Sequence, residues 1–212
     1  MPHPRDPRSI SVVEIAIVLA IMATLSLFAI PAFQSRRILE NEGSARRTLR
    51  DIAAAQRTFA SSHSGTTYGF LSELLGEGPL RRGVSVRPKA LVAAGMKPQP
   101  PYYGKDGYLF AVYLPGRGAT SVSHDSWSNL ASESAGRDFL AVAWPVNAGY
   151  SGQSVYVMDA AGRMMEFRNQ QATPWSGFHN PPPPCLLEEK ERLFGVRPLY
   201  VRALKPEPVD AP

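Results

Sequence analysis

The chain has 212 residues, of which 44% are hydrophobic and 19% charged, with a formal net charge of +5 and a pI near 9.5. This length holds one apolar segment and one domain of about 150 residues with its own core, and it excludes a second full domain; the composition excludes a polytopic membrane protein. Cys185 is the only cysteine, so no intrachain disulfide is possible and the domain must hold by packing. The basic excess comes largely from arginine pairs at Arg36 and Arg37, Arg46 and Arg47, and Arg81 and Arg82. Acidic residues interleave with most of them, which describes a solvated surface better than a nucleic-acid stripe.

Residues 1–9, MPHPRDPRS, set Arg5 and Arg8 against Asp6 as a short basic leader. Residues 10–33 follow as an apolar run whose one charge is Glu14. At about 1.5 Å per residue a helix of this length reaches about 36 Å, and a carboxylate placed in a bilayer costs about 2.5 to 3.5 kcal/mol, so Glu14 requires a partner or a role. A cleaved secretory signal has a shorter apolar core and no carboxylate. A plain single-pass anchor accounts for the length but leaves Glu14 unexplained, and Arg36 and Arg37 on the far flank weaken its orientation signal.

A third reading accounts for all of these features. The row Ser9, Ile10, Ser11, Val12, Val13, Glu14 resembles the cleavage segment of type IV pilins and of type II secretion pseudopilins, where a basic leader is cut off before an apolar helix whose fifth mature residue is glutamate. The resemblance places the cut between Ser9 and Ile10 and implies N-methylation of Ile10. Serine stands at position 9 where the family usually has glycine, the residue its peptidase favours. Pro31 lies seventeen residues after Glu14, where the resembled proteins commonly carry a helix-kinking proline. The resemblance makes Glu14 and Pro31 assembly residues.

Residues 34–75 turn amphipathic. Ile38, Ala45, Leu49, Ile52, Ala53 and Phe59 fall near one helical face with charges largely opposite, and Gly43 beside Ser44 is a point where the helix could bend. The alanine-rich stretch with Gln56 and Phe59, the Tyr68-Gly69 pair and a leucine-rich turn after it are similar to the same family.

Residues 76–105 read as a long irregular connection with one apolar turn at 90–94. Strand patterns then follow: GYLFAVYLP alternates Tyr108, Phe110, Val112 and Leu114 against Leu109, Ala111 and Tyr113; FLAVAWPV begins at Phe139; and SVYVMDAAGRMMEF reads as a hairpin turning at residues 159–162. These strands, too, resemble the C-terminal half of pilin-like proteins, so that residues 76–170 form a sheet domain. The tail, residues 171–212, carries four prolines at 181–184, a polyproline spacer, then one short helix at 185–194 and a disordered end.

Little here has the spacing of catalysis. His3, His63, His124 and His179 share no metal-ligand pattern, and HDSWSN offers one carboxylate, Asp125, too few for a hard cation. Cys185 with His179 lacks a nucleophile's setting. Tyr102, Tyr103 and Tyr108 with Lys97 and Lys105 are better read as strand and core residues than as a single-stranded nucleic-acid surface.

The expected fold is therefore α+β: a long N-terminal helix, half membrane-spanning and half amphipathic, packed on a small antiparallel sheet in the manner of a pilin. The expected protein is no enzyme and needs no cofactor or metal. The resemblance implies a filament subunit, inserted in the inner membrane as a single-pass prepilin with an exported C-terminal domain and later found in an extracellular or periplasmic filament. Its partners would be other pilin-like subunits, the prepilin peptidase, and the inner membrane with its assembly platform. A minor pilin or pseudopilin, acting as an anchored binding module for DNA, a surface or a secreted protein, is the alternative.

Overall fold

The structure is a computed structural model, and residues 11–62, 67–77, 95–115, 121–122, 138–182 and 201–203 are described. The fold is α+β. Helix α1 runs Val12–Ser62 and is continuous in backbone through Pro31 and Gly43; α2 is the single turn Leu71–Leu74. The helix is unbroken at Gly43, where the sequence allowed a bend or melting, and Ser44 beside it donates to the Asp106 carboxylate at 2.5 Å. The chain divides into two compact units, Met1–Arg37 and Ile38–Pro212.

In the second unit the described strands are β1 (Lys97–Gln99), β2 (Tyr102–Lys105), β3 (Tyr108–Pro115), β4 (Ser121–Val122), β5 (Leu140–Pro145), β6 (Ser154–Asp159), β7 (Met164–Arg168) and β8 (Val201–Ala203). They form one antiparallel sheet in the order β1-β2-β3-β5-β6-β7-β8, with β4 paired to the end of β3. Three strand expectations hold closely: β3, β5 and the β6–β7 hairpin lie where alternation placed them. The hairpin turn closes on Asp159, whose buried carboxylate accepts the Arg163 backbone N–H at 2.9 Å and the Arg163 guanidinium at 2.7 and 2.8 Å.

Side-chain period sorts the sheet into two buried faces. Tyr108, Phe110, Val112 and Leu114 of β3 join Ala141, Ala143, Tyr156 and Met158 on one face, together with Leu49, Ile52 and Phe59 of α1 and Leu71 and Leu74 of α2. All six residues expected on the amphipathic face of α1 are buried, from Ile38 to Phe59. Leu109, Ala111, Tyr113, Leu140, Val142, Trp144, Val155, Val157 and Phe167 bury the opposite face, with Tyr102, Met165 and Trp175 packed against them.

Two expectations about the connections are revised. The segment read as irregular up to residue 105 contains β1 and β2, and the tail read as disordered contributes β8. The apolar turn at 90–94 and the short helix at 185–194 lie outside the described residues.

Candidate assembly interface

The first turn of α1 answers why a carboxylate stands at position 14. Ser11 is the N-cap: its hydroxyl accepts the Val13 N–H at 3.3 Å, and the Glu14 carboxylate reaches back to accept the Ser11 N–H at 3.0 Å. This Ser-x-x-Glu start is a variant of the capping box, with the Ser11 hydroxyl on the N–H of the second helical residue and not the third, and it satisfies donors that a helix start leaves orphaned; the carboxylate also suits the positive end of the helix dipole. The motif stands in the sequence as Ser11, Val12, Val13, Glu14, and periodicity reading passed over it.

From that cap onward the helix is apolar all round and uncovered. Val12 is 81% exposed and Leu25 64%, with Val13, Ile15, Ile17, Val18, Leu19, Ile21 and Met22 all above the level of half-buried residues. The polar groups within the stretch are satisfied inside the helix. Thr24 donates to the Ala20 carbonyl and Ser26 to the Met22 carbonyl, each at 2.8 Å. The segment therefore offers apolar surface without unmet hydrogen bonds.

The localisation expected from the sequence, single-pass in the inner membrane with an exported domain and an extracellular or periplasmic destination, is corrected here. Among the described residues no helix is long and apolar enough to cross a membrane. The proposed cut at Ser9 and Ile10 lies outside the described residues. Pro31 lies within α1.

In the second unit, a polar row on α1 is tied to the sheet's connections. Asn41 donates to the Ser151 carbonyl at 2.8 Å, Glu42 accepts the Gln153 N–H at 2.9 Å, and Ser44 holds Asp106. Behind this row lie two phenols. Tyr108 donates to the Ser154 carbonyl at 3.0 Å, Ser154 donates in turn to Glu166 at 2.8 Å, and the Arg46 guanidinium carbon stands 5.7 Å from the centre of the Tyr156 ring. Burial, and then the nearby charge of Glu42, push both phenols well above their usual range. Asn41, Glu42 and Ser44 were missed in the sequence because a polar residue beside an apolar stripe looks the same whether it meets water or a loop.

Further along, Gln56 is fully buried and exchanges two hydrogen bonds with Gly69, donating to its carbonyl at 2.7 Å and accepting its N–H at 2.8 Å. This clamps the loop after α1 and leads into α2, where Glu73 accepts the Phe70 N–H at 2.8 Å.

The other candidates of the sequence disperse. Tyr103 and Tyr108 are buried in the core and Tyr102 packs edge-on against Trp144, so the three share no exposed face. His179 is exposed, while His3, His63, His124, Asp125 and Cys185 lie outside the described residues. Among the described residues no group of three or more histidines, cysteines and acids could hold a metal ion. Compared with models of known families, with curated proteins and with solved structures, the chain gives no match.

Proposed function

We propose that the chain is a pilin-like filament subunit that polymerises through the first half of α1 and does not catalyse. One observation carries this reading: the apolar surface from Val12 to Leu25 goes round the whole helix and is uncovered, while its polar groups are already satisfied. A helix apolar all round is one that other elements surround. A two-stranded coiled coil would need only a stripe, with the remaining faces polar.

Magnitudes favour several neighbours over one. Nine large side chains, each gaining roughly 1 kcal/mol on losing its remaining exposure, contribute on the order of 10 kcal/mol when fully covered, against an association cost of about 4 to 15 kcal/mol. A single partner covers one face and falls short, whereas a bundle of like helices covers every face. The occupant of this surface is therefore the same segment of further copies, with processing between Ser9 and Ile10 as the step that would free it.

The reading is tested by charge placed on opposite sides of the helix. Ile17 and Leu19 lie about 200° apart around the axis. Ile17→Arg and Leu19→Arg should each abolish recovery of the chain in sedimentable filaments while leaving the folded second unit intact by circular dichroism. Filaments that survive either substitution would replace the bundle with a one-faced pair.

A further inference from the structure

The sheet manages its two ends differently. At one end β1 carries Pro98 and exposes both Lys97 and Pro98, which makes that edge unfit for further pairing. At the other end β7 has neither proline nor lysine, and its outer ladder is filled by β8 in the register Met165↔Ala203, Glu166↔Arg202, Phe167↔Val201. Unlike the β6–β7 hairpin, this pairing is not local. The chain leaves β7 at Arg168, is anchored through Trp144 and Asn169 as far as the loop containing Trp175 and Gly177, and returns only at Val201.

We propose that the β7 edge is an interface between copies of this chain, taking the strand Val201–Ala203 of a second copy in place of its own. A ladder of three residues closes the edge through few hydrogen bonds, so its own strand is displaceable. Eighteen residues separate Pro182 from Val201, and any chain of that length spans at most about 60 Å. The occupant is the second copy because this chain already contains the sequence that pairs here. The exchanged strand keeps the same register and so loses no ladder pairing on exchange. The inference does not depend on the apolar helix; any association that brings copies together raises the local concentration of the incoming strand.

The test uses full-length chains in which Cys185→Ser removes the native thiol. One population carries Met165→Cys and the other, isotopically heavy, carries Ala203→Cys; opposed residues of an antiparallel ladder lie within disulfide reach. After mixing and mild oxidation, mass spectrometry should find the mixed light–heavy disulfide, rising with protein concentration and about tenfold above a control pair of Arg168→Cys with Ala203→Cys, which is out of register. The pair Glu166→Cys and Arg202→Cys should behave in the same way. Equal yields for in-register and control pairs would overturn the proposal. So would the absence of any mixed product while a chain carrying both Met165→Cys and Ala203→Cys closes only on itself at every concentration.

Discussion

Glu14 accepts the backbone N–H of Ser11 at 3.0 Å, so the carboxylate that interrupts the apolar run also fastens the start of α1. Its two roles, cap and charge, separate by substitution. Glutamine serves a capping box as well as glutamate does but carries no charge. Glu14→Gln should keep the helix start, and Glu14→Ala should weaken it by about 1 kcal/mol. If the charge directs assembly, both should be sharply depleted from sedimentable filaments, with Glu14→Asp intermediate. Wild-type recovery of Glu14→Gln would mean that capping is the whole role of this residue.

Processing at the start of the apolar run gives a second prediction. Intact mass should correspond to a chain beginning at Ile10 with a methylated amine. Ser9→Gly should process at least as completely, whereas Ser9→Leu should accumulate the uncut form. A mature chain that retains residues 1–9 would remove the pilin reading.

The Gln56–Gly69 clamp predicts a thermodynamic effect remote from assembly. Gln56→Leu fits the apolar surroundings but leaves the Gly69 N–H and carbonyl without their partners. The expected cost is about 2 to 4 kcal/mol, or roughly 5 to 15 °C in Tm by calorimetry. Gln56→Glu keeps an acceptor for the N–H but sets a carboxylate against the Gly69 carbonyl. It should be destabilised at pH 7 and recover as the pH falls and the acid becomes a donor. A Gln56→Leu variant as stable as the parent would show that the loop is held by packing alone.

The buried phenols set the alkaline limit of the fold. Tyr108 and Tyr156 hold their protons in the folded state above the usual phenol value of 10.0, while the unfolded chain loses them there. The unfolded state then binds fewer protons, so stability falls with rising pH. This contribution is fully present below pH 10 and is lost progressively above it. Tyrosinate absorbance should show these two of the eight tyrosines titrating only as the fold is lost. Tyr156→Phe should flatten the decline, and a wild-type chain whose phenols all titrate near pH 10 without unfolding would contradict the buried arrangement.

The parts of the fold legible in the sequence are those in which period alone decides. β3, β5 and β6 are long enough for alternation to show, and the apolar stripe of α1 reads correctly from Ile38 to Phe59. β1 and β2 were hidden because prolines at 98, 100 and 101 mask strands that need only short ladders at the sheet's end. β8 was hidden because three residues after a proline run carry no period, and only their partner β7 defines them. At the candidate interface, Glu14 was conspicuous as a charge in an apolar run. Its partner Ser11 stands three residues back, but a cap leaves no mark on the hydrophobic period.

The order of elements along the chain also sets a delay during synthesis. The buried face of α1, through Phe59, is covered by residues of β3 to β7 that end near Met164, about a hundred residues later. At ordinary elongation rates this leaves the stripe bare for roughly 5 to 20 s after it leaves the ribosome, beside the still uncovered apolar start of the same helix. A nascent chain stalled before β5 should accordingly bind holding chaperones through both stretches, and one released after β7 should bind only through the first.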